Sequence, residues 1–186
     1  MSQPIQLGLR LALMALVVVL LQTSALSQVS LLGASPDIAP LVVASVGLLA
    51  GPVAGALMGF GVGLLTDVAL LQTLGISSLV YVIVGHYSGL MRDNARDPQA
   101  TLLPLAAGAL GTFVALTVFS LLQFLLGVDA PISFELVRQI ISTVLINTLI
   151  ALPVHAAVRR ALGTAFDPRR KRRRRSRPGL SPLIQP

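Results

Sequence analysis

The side chains able to do chemistry are few and far apart. Asp67 closes the apolar run Gly51 to Asp67, GPVAGALMGFGVGLLTD. An acid within a membrane segment is a functional candidate, because a charge there is costly to hold. Lying four positions before Leu71, Asp67 has a second reading, as a hydrated interfacial acid that caps the next loop. Glu135 and Arg138 stand three residues apart and can pair on one helix face; Arg138 could instead meet Asp67 across a bundle. Tyr81, together with Asp67 and Arg138, completes the candidate functional polar groups. His86 and His155 lack a metal-ligand spacing and have no cysteine beside them. They read as interfacial side chains rather than ligands. Gln123 and Asn147 sit in apolar runs, where amides hydrogen-bond between helices more often than they hold a substrate.

No catalytic set accompanies these groups. The chain contains no GxSxG, no GxxxxGK[ST] and no GxGxxG. Gly59-Phe60-Gly61-Val62-Gly63 is glycine-rich, but it lies inside an apolar helix with no preceding strand and no lysine. The reading is therefore non-enzymatic, with no cofactor and no metal site.

The elements that carry these residues are membrane helices. The 186 residues are 54% hydrophobic and 11% charged, where a soluble domain carries about 25% charged residues. Apolar runs define six spans: 7–26, 37–50, 52–71, 76–91, 101–126 and 134–158. The second is the shortest, because residues 37–50 reach only about 21 Å as a helix. It is either a short span, a re-entrant segment or one arm of a bent hairpin. The fold class is all-α, a polytopic membrane helical bundle over residues 1–160.

In the third span Gly51, Gly55, Gly59 and Gly63 recur every four residues, with Gly47 four before them. Gly85 and Gly89 repeat that step in the fourth, after Ser77 and Tyr81. In water each interior glycine costs a helix about 1 kcal/mol. In lipid such spacing lets backbones approach closely. Two readings stay open for these glycines: packing within the chain's own bundle, or a face for a partner's helix. On the second, Gly59→Leu weakens the partner's association while the chain still inserts.

Charge sets the orientation. Of the 14 Lys and Arg, eight lie in Arg169, Arg170, Lys171, Arg172, Arg173, Arg174, Arg175 and Arg177, leaving residues 1–168 close to neutral. The sequence pI near 11.5 thus belongs to a tail, residues 161–186, that reads as a disordered basic cytoplasmic segment contacting anionic lipids. Contact with an acidic cytoplasmic protein is the other reading; nucleic acid has no support. By the positive-inside rule six spans place both termini in the cytoplasm and leave only Arg138 near the outer face. Five spans would move only Arg10.

The run Pro36-Asp37, Gly51 to Phe60, Gly63 to Asp67, Leu74-Gly75, Leu79-Val80-Tyr81, Gly85 and Arg92-Asp93 resembles the bacterial rod-shape-determining MreD family. The resemblance covers residues 36–93. It implies a multi-pass inner-membrane component of the cell-elongation machinery, without catalytic activity. It further implies association with the bitopic protein MreC, and through it with a transpeptidase and glycosyltransferase pair, peptidoglycan synthesis and MreB filaments. The implied fold is similar to the six-helix substrate-binding subunits of energy-coupling-factor transporters. The alternative function is a membrane subunit that captures a vitamin-type small molecule in a polar pocket built from Asp67, Gln72, Glu135 and Arg138.

Overall fold

A computed structural model describes residues 3–26, 36–92, 102–127 and 134–162. The described residues form an all-helical membrane bundle with no strand: α1 (Gln3–Leu21) running into a π-helical turn (Gln22–Leu26), α2 (Ile38–Ala50), α3 (Pro52–Ala69), α4 (Ile76–Leu90), α5 (Leu103–Leu125) and α6 (Phe134–Leu162). Four of these are long and apolar enough to cross a membrane: Leu7–Ser24, Pro52–Ala69, Leu103–Leu125 and Leu136–Leu162. The two shorter apolar helices are α2 and α4. The Arg169 to Arg177 run lies outside the described residues.

The short α2 occupies the centre. Every residue from Ala39 to Leu48 is buried, so no face of it meets lipid along that length. It packs against α3, α4, α5 and α6. Its sequence suits this place, because IAPLVVASVGLLA is apolar on every side. Asp37 is not part of the helix, as the span 37–50 supposed, but its N-cap: the carboxylate accepts from the Ala39 N–H at 3.1 Å. The helix stops at Gly51, whose φ of 100° suits a residue without a Cβ, and Pro52 then opens α3.

The most extensive pairing is α3 on α4, and glycine makes it. A Cβ at Gly55 would lie on the Gly85 carbonyl, one at Gly59 on the Tyr81 carbonyl, and one at Gly63 on the Ser78 backbone. In return, a Cβ at Gly85 would strike the Gly55 carbonyl, and one at Gly89 the Pro52 backbone. Gly47 brings α2 into the same seam, with its Cβ position 2.5 Å from the Gly85 oxygen. Backbone lies against backbone, so dispersion and Cα–H···O contacts replace a hydrophobic drive that lipid does not supply. Side-chain bonds cross as well, among them that from Ser78 Oγ to the Phe60 carbonyl at 3.4 Å. Gly61 faces elsewhere, 3.9 Å by its Cβ position from the Ala15 Cβ of α1.

These contacts say which helices the glycines of the ladder face. Gly55, Gly59, Gly63, Gly85 and Gly89 are closed against each other's helices, so this seam leaves no groove for a partner's helix. Gly59→Leu would strike α4 itself, and weakened association in a protein that still folds is no longer its expected outcome.

Helix ends also differ from the apolar runs. α3 ends at Ala69 because the chain closes a Schellman turn: the Leu71 N–H donates to Val68 O at 3.3 Å and the Gln72 N–H to Asp67 O at 2.9 Å. Leu71 holds the left-handed position at φ 52°, where glycine is usual, and is 93% exposed. At the other end of the chain, α6 runs on past residue 158 through Arg159 and Arg160 to Leu162, since Val158 and Leu162 are both buried.

Candidate functional site

The described polar side chains gather where α2 begins. The first amides of a helix have no partner within it, and here they are buried among other helices. The Asp37 N–H donates to Asn147 Oδ1 of α6 at 3.1 Å, and the Ile38 N–H to Gln22 Oε1 of the π-helical turn at 3.0 Å. The Ala39 N–H goes to the Asp37 carboxylate. Three donors are thus met by three acceptors from separate segments.

Asn147 is the keystone of this cluster. It is 0% exposed, and its Nδ2 donates to the Asp37 carbonyl at 2.6 Å and to Thr112 Oγ1 of α5 at 3.0 Å. One amide therefore ties α6, α5 and the start of α2. Gln22 closes a similar loop, since its Nε2 reaches the Pro36 carbonyl at 3.4 Å. From α4, the Tyr81 hydroxyl lies close enough to the Asp37 carboxylate to interact with it electrostatically. The π-helical turn, α4 and α6 thereby approach the N-terminus of α2 or its cap directly, and α5 is joined to it through Asn147.

Asp67, on α3, stands within electrostatic range of Tyr81 on the other side. It is 0% exposed. Oδ2 accepts from the Gly75 N–H at 2.7 Å and Oδ1 from the Ser77 N–H at 3.3 Å. Gly75, at φ 97°, has no side chain to cap α4 with, and Asp67 supplies the acceptor from the preceding helix. A carboxylate at a helix N-terminus also meets the positive end of its dipole. The two readings of Asp67 merge: it caps the loop, and it does so from a buried position rather than a hydrated interface.

Both carboxylates are thus occupied by backbone N–H groups at the starts of helices. The chemistry this arrangement performs is positional: it fixes where α2 and α4 begin relative to α1, α5 and α6. Arg138 takes an exposed position on α6, and Tyr81 is buried between the two acids. His86 is exposed and stacks edge-on against Tyr87, with ring centroids 5.8 Å apart. Gln123 departs from expectation, because its Oε1 is buried without a hydrogen-bond partner. Among the described residues no three His, Cys, Asp or Glu cluster as metal ligands.

Three residues of the cluster escape a reading of the sequence. Asp37 looks like the first residue of a span, although an Asp just before an apolar run is an N-cap signature. Gln22 looks like a mere break at the end of the first span. Thr112 has no local signal at all, and its link to Asp37 passes through a residue 110 positions away from that acid.

Fold and cluster together define an all-helical membrane protein whose buried polar groups are used to hold helices in register. The profile of the rod shape-determining protein MreD matches residues 5–161, and the chain belongs to that family. The match extends the likeness well beyond residues 36–93, over all six helices. No curated protein and no solved structure matches the chain. The chain is therefore a rod-shape-determining membrane protein, in a family tied to the cell-elongation complex.

Proposed function

We propose that this protein is a non-enzymatic scaffold of the rod-shape complex. It binds an MreC-like bitopic protein by helix-to-helix contact and so supports peptidoglycan synthesis. The transpeptidase and glycosyltransferase pair and the MreB filaments are reached through that partner. The observation that carries this reading is the family match across residues 5–161. The groups at Asp37 and Asp67 are in accord with it, because their carboxylates and the Asn147 amide are engaged by the chain's own helices.

In this reading all six helices cross the inner membrane, with both termini in the cytoplasm. The supporting observation is that Arg10, Arg92, Arg96, Arg159, Arg160 and the Arg169 to Arg177 run then share one side. The basic tail lies along anionic lipid, at about 1 kcal/mol per Lys or Arg near the surface.

The test is purification from membranes of cells that also hold an MreC-like protein and lack their own chromosomal copy of this chain. The scaffold reading expects the partner to co-purify and rod shape to return. A small molecule bound at near-equal stoichiometry, with no protein partner, would overturn it in favour of a transporter subunit.

A further inference from the structure

The turn that joins α3 to α4 has the wrong side chains for water. Turns that face water are built mainly from Gly, Pro, Asn, Asp and Ser. Here every residue from Val68 to Leu74, VALLQTL, is exposed, with Leu71 at 93% and Leu74 at 66%. No Asp, Glu, Lys or Arg lies between Asp67 and Arg92. Asp67, the acid nearest the turn, points inward and is fully buried. The other end of α4 differs: there the chain passes into Arg92, Asp93, Asn94, Ala95, Arg96 and Asp97.

The backbone of the turn is closed as well. The N–H groups of Leu70, Leu71, Gln72 and Ile76 donate to carbonyls of the turn or of the last residues of α3. Those of Gly75 and Ser77 donate to the Asp67 carboxylate. In water a turn can leave such groups to the solvent; in hydrocarbon each unmet group is costly. Length points the same way. At the opposite end of α3 the Arg92 guanidinium lies over Gly51, its Nη1 3.2 Å from the position of a Cβ there, which sets the start of α3 at the level of a charge. From Pro52 the 18 residues of α3 rise about 27 Å, and any tilt shortens that reach. A hydrocarbon core is about 30 Å thick, so the turn does not clear it. The 23 residues of α5 and the 29 of α6 rise about 34 and 43 Å and do.

We propose that the α3–α4 turn, Leu70 to Leu74, is inserted into the lipid leaflet opposite the Gly51-Pro52 turn, solvated by acyl chains rather than by water. Leu70, Leu71 and Leu74 meet the upper acyl carbons, and the uncharged Gln72 and Thr73 between them reach toward the headgroups. The Asp67 cap then lies beneath lipid, and its carboxylate takes both its donors from the chain itself because water is not at hand. This end of the α3–α4 unit offers no loop to a partner in the aqueous phase. The leaflet is the outer one in the orientation proposed above. The inference needs only that the chain spans a membrane, so the scaffold reading stands or falls separately.

The chain contains no tryptophan, so a single introduced one reports its own depth. Leu71→Trp and Leu74→Trp are made in the full chain and reconstituted into phosphatidylcholine–phosphatidylglycerol vesicles whose acyl chains carry bromine high, midway or low. Phe60→Trp, 53% exposed and near the middle of α3, is the mid-depth reference, and N-acetyltryptophanamide in solution is the aqueous one. At both turn positions the expected emission is shifted to the blue and quenched most by bromine high on the acyl chain. Iodide should quench it far less than it quenches the aqueous reference, while Phe60→Trp is quenched most by low bromine. Iodide quenching equal to that of the aqueous reference, with no effect of bromine, puts the turn in water and overturns the proposal. Shielding from iodide and bromine alike puts protein over the turn, a second copy or the chain's own loops, and overturns it too. If Leu71→Trp does not fold, Leu74→Trp, which avoids the left-handed position, decides alone. The vesicles hold no partner protein, so none of these outcomes bears on co-purification.

Discussion

The α3–α4 seam and the α5–α6 pair solve the same problem with different means. Both must hold helices together where the surroundings are as apolar as the side chains. The seam does it by removing side chains: Gly55, Gly59 and Gly63 meet the backbone of α4 directly, and Gly85 and Gly89 return the contact. The α5–α6 pair uses one glycine, Gly108 against the Ala151 Cβ, and otherwise relies on a clasp, Asn147 between Thr112 and Asp37. The seam contributes many small contacts and tolerates no added atom. The clasp concentrates its contribution in one amide. The difference teaches that close packing builds a rigid unit from neighbours in sequence, while polar bonds bring in helices from far along the chain.

The largest expected effect is at the seam. Gly59→Leu sets a side chain against the Tyr81 carbonyl, and overpacking against backbone costs about 3 kcal/mol or more. Thermal aggregation in detergent should show little folded protein, whereas Gly8→Leu, with nothing within 4 Å, should leave the transition in place. Full stability in Gly59→Leu would mean that the helices are farther apart than described.

Next comes the clasp. Asn147→Leu leaves the Asp37 N–H and carbonyl without partners in a buried place, at a cost of about 2 kcal/mol. The chain should still fold, with α5 and α6 loosened. Asp67→Asn is smaller again, because one oxygen remains to accept from Gly75 or Ser77 but the charge-assisted pair is lost. About 1 kcal/mol is expected, read as a lower melting temperature with helix content unchanged. The smallest effect has the opposite sign. Leu71→Gly relieves a left-handed residue at φ 52°, and after the entropy of glycine is set against it, a gain of about 0.5 kcal/mol remains.

The seam was the legible half of the molecule. Four-residue glycine spacing, the Gly51-Pro52 turn and the end at Thr66-Asp67 all lie within one local stretch, so helix, turn and close approach follow from chain-local rules. What glycine spacing does not encode is the identity of the helix that approaches, and that was settled only by the position of Gly85 and Gly89 on α4. Asp67 had two local readings because depth in a bundle is not a property of its neighbours in sequence. The clasp was legible only by halves. Asn147 in an apolar run demands a partner, but Asp37 offers its backbone, which every residue possesses, and no sequence pattern marks that choice.

Hydrogen exchange in the Asn147→Leu protein, read helix by helix, tests the division most directly. If the seam and the clasp are separate devices, exchange rises in α5, in α6 and at the first amides of α2, while the amides of α3 and the glycine-lined half of α4 keep their protection. An equal rise across all six helices would contradict this, as it would make the clasp and the seam one cooperative unit.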